Sequence, residues 1–320
     1  IAERRLPRDG RIKLKVLDRE IDFRVSTLPT IYGESLVMRI LDREALILDL
    51  EKLGLPEDLL PQYGELITKP YGMILVTGPT GSSKTTTLYT TLAKINSSEN
   101  KIITLEEPVE YQLRGINQIQ VNAKIGMTFA NGLRSIVRQD PDIILVGEIR
   151  DRETAETAIQ SALTGHLLFS TLHTNDAAGA ITRLLDIGVE NFLLSSTLLG
   201  ILAQRLVRVI CPHCKRRVHP EEKLLKAMNL HPDTLCGIEF FAGEGCEECK
   251  HTGFRGRIGI FEYLPVDDDI RREITARSST ERIKDVALEK GLPTLRQDGW
   301  NKVIRGITTI SEVLRVTLEK

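Results

Sequence analysis

From Gly72 onward, short apolar runs alternate with segments of helical period. Strands are predicted over 73–77, 101–105, 143–147 and 167–171, and helices start at Lys84, Thr128, Thr154 and Asp176. Such alternation predicts an α/β sheet with much parallel pairing. Ahead of it, Arg11 to Val16 and Glu20 to Ser26 alternate polar with apolar residues around Leu17-Asp18-Arg19, which is a hairpin pattern. Ser35 to Leu41, after Pro29 and the loop residues Tyr32-Gly33-Glu34, is another strand-like run. Residues 46–55 read as a linker. Pro56 to Thr68 reads as a helix with Pro56 in its first turn and Glu57 and Asp58 near its positive end. The tail has a short strand, Ile258 to Leu264, then helical patterns around 268–276, 280–290, 294–305 and 310–318. Ser279-Thr280-Glu281 and Thr309-Ile310-Ser311-Glu312 are its candidate caps.

The stretch Gly78-Pro79-Thr80-Gly81-Ser82-Ser83-Lys84-Thr85 lies between the apolar run Met73-Ile74-Leu75-Val76 and the helix-prone Thr86-Thr87-Leu88-Tyr89. Strand, tight loop and helix in that order suit the G-x-x-x-x-G-K-[ST] pattern. In it, glycines let backbone N–H groups close on phosphate oxygens, the lysine reaches the β- and γ-phosphates, and the hydroxyl ligates magnesium. Gly78, Gly81, Lys84 and Thr85 are in place, and the bland alternative is a Gly/Ser/Thr-rich turn. Ser83 departs from the pattern, which asks for glycine there. A serine fits if φ is negative and costs affinity if the position needs a glycine-only conformation, so ATP is expected to bind more weakly than to a Ser83→Gly variant.

Ligands of such sheets lie at the carboxyl ends of the strands, and that rule sorts the acids. Asp142 and Glu148 stand at opposite ends of Ile143-Ile144-Leu145-Val146, roughly 20 Å apart at about 3.3 Å per residue. Only Glu148 can share a site with Lys84, as the residue that orients or activates water. Ile102-Ile103-Thr104-Leu105 runs into Glu106, Glu107 and Glu110. These are candidates for metal or water positioning, or else ordinary partners of loop lysines. Leu167 to Thr171 leads to His173, which either contacts a γ-phosphate or is structural.

With 320 residues, 41% of them apolar, the chain can bury sizeable cores in about two domains plus appendages. Lys+Arg of 43 against Asp+Glu of 44 gives a net charge of −1, which argues against a general electrostatic grip on nucleic acid or anionic membrane. The longest apolar stretch, Phe192 to Ala203, is interrupted by Ser195, Ser196, Thr197 and Gly200 and is too short to span a bilayer. No signal peptide is evident. The chain opens at Ile1 within what reads as a domain, so an upstream portion is expected.

Cys211-Pro212-His213-Cys214 and Cys246-Glu247-Glu248-Cys249 are two C-x-x-C knuckles with 31 residues between them. Four thiolates suit a closed tetrahedral zinc site that stabilises an appendage and leaves no position for catalysis. The alternative is four reduced thiols. His213 and His251 are lesser candidate ligands, and Cys236 reads as a free thiol.

In order along the chain, the loop at 78–85, Glu106-Glu107-Pro108-Val109-Glu110, Gly147-Glu148-Ile149-Arg150-Asp151 and Thr164-Gly165-His166 to Ser170-Thr171-Leu172-His173-Thr174-Asn175 resemble four boxes of one family. They are the Walker A, Asp, Walker B and His boxes of secretion-superfamily ATPases, in the type II secretion and type IV pilus assembly group. Arg8-Asp9-Gly10-Arg11, Arg24 to Pro29 and Gly33-Glu34 resemble the end of the domain that precedes the motor core there. The resemblance implies an α/β, RecA-like P-loop core over 70–210, preceded by the end of a β-rich domain over 1–45 and a linker and helix over 46–69. A tetracysteine zinc element over 211–255 and a helical subdomain over 256–320 follow.

The resemblance further implies a homo-hexamer in which the smaller domain closes over ATP and Mg2+. The nucleotide would be held by Gly78 to Thr86 with Thr85 on the magnesium, and Glu148, Glu107, Glu110 and His173 would serve as catalytic residues. Arg24 and Arg39 match arginines that reach the phosphates. Arg134, Arg138 and Arg150 match basic residues that approach the site. The implied work is pseudopilus-dependent protein export at the cytoplasmic face of the inner membrane, with platform proteins engaged through the upstream region and no nucleic acid. Pilus assembly is the alternative. The cysteines favour assembly and secretion members over retraction motors, and Gly299 to Val303, Gly306 to Thr309 and Val313 to Thr317 resemble secretion members more. Other classes to weigh are a RecA-like nucleic-acid translocase and a nucleotide-binding scaffold without turnover.

Overall fold

The computed structural model describes residues 4–16, 19–42, 49–228 and 237–318. The expected turn residues Leu17 and Asp18, the first part of the 46–55 linker and the expected free thiol Cys236 lie outside the described residues. The chain divides into two compact units, Ile1–Ile47 with Val109–Gln112, and Leu48–Pro108 with Leu113–Lys320.

The first unit is an antiparallel sheet of β1 (Arg8–Val16), β2 (Arg19–Thr30) and β3 (Gly33–Asp42) in that order. Gly33, at φ +119°, closes the Ile31-Tyr32 turn and its carbonyl accepts from Thr30 Oγ1 at 2.7 Å. Side chains directly opposite one another share a face of an antiparallel pair. The register Arg11↔Arg24↔Arg39 therefore sets three arginines in one row, while Ile12↔Phe23↔Ile40 falls on the other face. Within this unit Arg24 Nη1 lies 3.8 Å from Glu110 Oε1.

The second unit opens with α1 (Leu59–Leu66), β4 (Gly72–Thr77), α2 (Lys84–Ile95), β5 (Ile102–Glu106) and β6 (Asn117–Gln120). Next come α3 (Phe129–Val137), β7 (Ile143–Val146), α4 (Arg152–Leu163), β8 (Leu167–Leu172), α5 (Ala177–Ile187), α6 (Asn191–Thr197) and β9 (Leu198–Ile210). The cysteine element contributes β10 (Lys215–Val218), α7 (Glu222–Ala227) and β11 (Phe240–Gly243). The chain then runs through β12 (Phe254–Pro265), α8 (Asp268–Thr275), α9 (Thr280–Glu289), α10 (Leu295–Ile304) and α11 (Ile310–Thr317).

Seven strands form one sheet in the order β12-β9-β4-β8-β7-β5-β6, parallel except for the antiparallel pair β12–β9. The predicted α/β alternation is present, and β4, β5, β7 and β8 are buried along their whole length, as expected of strands covered on both faces. Met73 and Leu75 face a core shared with α3, α4 and α5, and this core continues through α8 to α11. Ile74 and Val76 face a second core with α1 and α2. The C-terminal helices are thus welded to the sheet by one apolar cluster. Ser279 and Thr309 cap α9 and α11 as the sequence suggests, each accepting an N–H three residues on.

Two elements differ from the sequence reading. The apolar stretch from Phe192 splits into α6 and the 13-residue β9, because a continuous apolar run carries no period that separates helix from strand. The strand expected at the head of the helical tail runs Phe254–Pro265 and is the edge of the main sheet, paired with β9 from Ile258↔Val207 to Pro265↔Gly200. Its partner lies about fifty residues upstream, and long-range pairing leaves no local mark. Among the described residues, no helix is long and apolar enough to cross a membrane.

Candidate nucleotide site and tetracysteine centre

The loop after β4 takes its shape from β9 beside it. A Cβ at Gly78, whose φ is +152°, would sit 2.4 Å from the Gln204 carbonyl oxygen, so only glycine fits there. Gly81 is at φ +81° and Ser83 at φ +67°, ψ +29°. Ser83 therefore occupies the left-handed region that the pattern's glycine would fill without strain, and the negative φ that would have made the serine harmless is not adopted. Lys84 opens α2 and folds back into the loop, its Nζ donating to the Gly78 carbonyl at 2.7 Å and the Pro79 carbonyl at 3.2 Å. Burial pulls its pKa down from 10.5 to about 8, the Glu148 carboxylate opposing and the Arg205 guanidinium adding to that pull. Thr85 is exposed, Thr86 is half-buried and Ser82 is buried, while Pro79 and Thr80 are exposed.

Glu148 stands just past β7, one strand removed from β4, with β8 between them. Its backbone is pinned on both sides, Gly147 N–H donating to the Leu105 carbonyl and Ile149 N–H to the Thr171 carbonyl. The Thr171 hydroxyl adds a bond to the Gly147 carbonyl at 2.7 Å. The Glu148 side chain, 15% exposed, meets His173 Nε2 at 3.5 Å and pairs with Arg150, which reaches Glu107 at 3.4 Å. Burial, reinforced by the Lys84 charge, holds the His173 pKa below its ordinary value, so the imidazole is neutral at neutral pH. Asp142 lies at the far end of the strand, accepting from Lys101 N–H at 2.6 Å, as strand direction requires.

Several sequence candidates land elsewhere. Glu106 does not reach the edge. On the same face of β5 as Thr104, it turns into the core, 3% exposed, and accepts from Tyr89, from Thr104 at 2.5 Å and from Gln118 at 3.2 Å. Arg134 pairs with Glu153 at 2.6 Å, and Arg138 bonds the Arg134 carbonyl at 2.9 Å, both along the exposed side of α3. Glu110, Arg24 and Arg39 belong to the first unit.

Other residues were missed. Thr77, at the end of β4, accepts from Thr174 N–H at 3.0 Å and shares a 2.7 Å bond with its hydroxyl. On β9, Gln204 donates to the Ser82 carbonyl at 2.5 Å, and Arg205 donates to the Asn175 carbonyl at 2.7 Å. The available signal was a consecutive polar pair inside the apolar run Ile201-Leu202-Ala203 and Leu206-Val207, since buried polar groups require partners.

The four knuckle cysteines converge with all Sγ atoms within 4.8 Å of one another. Gly245, Cys246 and Gly253 donate N–H bonds to the Cys214 and Cys249 sulfurs at 3.2 to 3.3 Å. Burial works against the Cys249 thiolate, yet the N–H groups of Cys246 and Gly253 outweigh it and hold its pKa at about 6. Four converging sulfurs, three of their separations 3.7 to 3.9 Å, with amides aimed at two of them, fit a closed metal site. Among the described residues neither His213 nor His251 joins this cluster.

A family model described as type II/IV secretion system protein matches residues 1–315. The chain belongs to this family. A type II secretion system protein E of Xanthomonas campestris pv. campestris is 56% identical over 320 residues, covering 99% of this chain and 56% of that relative. The type IV pilus assembly ATPase PilB of Thermus thermophilus is 50% identical over 319 residues, covering 100% of this chain and 36% of that protein. The pilus retraction motor PilT, solved with bound ADP, aligns with a TM-score of 0.71 and 29% identity over 98% of this chain and 78% of its own. The resemblance read from the four boxes is thus borne out, as is the α/β fold with its tetracysteine cluster. This family member spans little more than half the length of its curated secretion relatives.

Proposed function

We propose that this chain is the ATP-hydrolysing motor portion of a type II secretion system ATPase. The observation that carries the reading is the convergence of Glu148, His173 and the Lys84 loop at the carboxyl edge of one sheet. There the loop amides and Lys84 would hold the phosphates and Thr85 the magnesium. Mg2+ would neutralise charge on the β- and γ-phosphates when bound. Glu148, pinned by its neighbours and tied to Arg150, accepts a proton from water. Neutral His173 beside it donates to or accepts from the γ-phosphate side, and Glu107 sets the position of Arg150. Arg24 and Arg39 would supply positive charge to the transition state and tie turnover to movement, with Glu110 as a further acidic residue of the site.

The same reading includes a homo-hexameric ring at the cytoplasmic face of the inner membrane. Platform proteins would engage the part of its relatives that this chain does not span. Cys211, Cys214, Cys246 and Cys249 would hold a structural Zn2+, supported by the converging sulfurs. Pilus assembly is the second reading, favoured by the identity to PilB. A nucleic-acid translocase is opposed by the net charge of −1 and the 5% aromatic content. Steady-state ATPase assays with and without single-stranded DNA, on a sample whose oligomeric state is measured with nucleotide bound, test the proposal. Turnover by a hexamer, indifferent to DNA, is expected; strong DNA stimulation overturns it. Metal analysis should find one zinc per chain, and finding none removes that site.

A further inference from the structure

Gln204 and Arg205 are consecutive residues in the middle of β9, just past Ala203, which pairs with Thr77 at the carboxyl end of β4, and consecutive strand residues point to opposite faces of a sheet. Each reaches a different loop of the candidate nucleotide site. On one face Gln204 Nε2 donates to the Ser82 carbonyl, and the Gln204 carbonyl oxygen is the atom that a side chain at Gly78 would strike. Gln204 therefore touches the phosphate loop at both its first and its fifth residue. On the other face Arg205 Nη2 donates to the Asn175 carbonyl at 2.7 Å and to Asn175 Oδ1 at 3.2 Å, two residues past His173.

Both side chains are more than nine-tenths buried, Gln204 at 1% and Arg205 at 8% exposed. Three buried polar atoms of this small region, Ser82 Oγ, Gln204 Oε1 and Arg205 Nη1, have no hydrogen-bond partner. A strand that served packing alone would be more stable with apolar side chains at these two positions, as at Ile201 to Ala203 before them.

We infer that Gln204 and Arg205 are a pair of positioning residues with divided tasks: Gln204 sets the phosphate loop for nucleotide binding, and Arg205 sets the His173 loop for hydrolysis. The inference rests on reading the Lys84 loop and His173 as the nucleotide site. The division follows from what each residue holds. The Ser82 carbonyl belongs to the loop that meets phosphate in ground state and transition state alike, so its release changes affinity. Asn175 fixes the loop of a residue that stands 3.5 Å from Glu148, so its release changes the chemical step.

The test uses the whole chain with Gln204→Met, which keeps length and removes the donor, and Arg205→Lys, which keeps the charge and removes the forked grip. Dissociation constants for ATPγS and saturating turnover of ATP are measured for each, with urea midpoints to register folding. Gln204→Met should raise the dissociation constant about tenfold while turnover changes less than about threefold, and Arg205→Lys should lower turnover about tenfold with affinity kept within about twofold. Gln204→Glu, which also lacks the donor, should not restore affinity, and Gln204→Asn should restore little because it is one methylene short. Proportional loss of affinity and turnover in both variants, following their urea midpoints, overturns the division and leaves a structural role. Unchanged constants in both overturn it as well. Lys84→Ala is the control for the underlying site: if it binds ATPγS and hydrolyses ATP like the wild type, the nucleotide-site reading itself fails. If Lys84→Ala is inactive while the β9 variants are unaffected, only the pair is refuted.

Discussion

Charged side chains are used in two ways in the larger unit, and the contrast between the carboxyl edge of its sheet, the candidate nucleotide site, and its C-terminal tail explains both. At the edge, Glu107, Arg150, Glu148 and His173 form a chain with two separations of 3.4 and 3.5 Å, and Arg150 and His173 are 62% and 49% exposed. In the tail the Asp298 carboxylate accepts Lys302 Nζ on both oxygens at 2.7 and 2.6 Å, and Phe261 N–H as well, with both charges buried. Glu312 there accepts four donors, the Arg208 N–H and guanidinium and two nitrogens of Arg315, at 2.7 to 3.0 Å. Glu148 is tied closely to Arg150, but the outer links of the edge chain, to Glu107 and His173, are long and open to a change of partner. The tail charges are saturated and fasten α10 and α11 to β12 and β9.

The largest expected effect lies on the saturated side. Asp298→Ala leaves Lys302 buried without its carboxylate and should cost about 3–5 kcal/mol in urea unfolding. Glu107→Ala, at the exposed end of the edge chain, should cost less than about 1 kcal/mol. Similar losses for the two would erase the contrast.

Next is the acid response of Glu312. Burial opposes its carboxylate, but the bonds from Arg315 and Arg208 outweigh this and hold its pKa at about 2, against an ordinary 4.5. A group depressed in this way stabilises the fold above its unfolded pKa, so that contribution is complete above pH 4.5 and is lost as the pH falls from there toward 2. The wild-type unfolding free energy from urea titrations should lose a Glu312 component on the order of 3 kcal/mol through this window, and Glu312→Gln should lack that component. A variant with the same acid slope as the wild type would break the assignment.

The smallest effect sharpens the edge. Ser83→Gly removes a side chain from a left-handed position and should stabilise the chain by roughly 1 kcal/mol while tightening ATP binding. Equal dissociation constants would mark the serine as harmless.

The edge was largely legible in the sequence. Strand direction alone separates Glu148 from Asp142, and strand, loop and helix in succession place Lys84. What stayed hidden depended on contacts across the sheet. Gln204 and Arg205 sit in a run with no period, and the backbone angle of Ser83 is imposed by the loop that surrounds it. Glu106 was recoverable in principle, since it shares parity with Thr104, but only the packing of Tyr89 on that face decides which side is interior. In the tail, the helices and caps were readable from period and from Ser279 and Thr309. Their attachment through Asp298 and Glu312 was not, because both carboxylates look like ordinary surface acids until β12 and β9 are seen beneath them.

We propose Glu148 as the base of an ATP-hydrolysing site built on the Lys84 loop. Its most direct test is Glu148→Gln, with ATP affinity and turnover measured on the same preparation. Turnover should fall about a hundredfold or more, with the ATP dissociation constant kept within about twofold. Turnover equal to that of the wild type would contradict it.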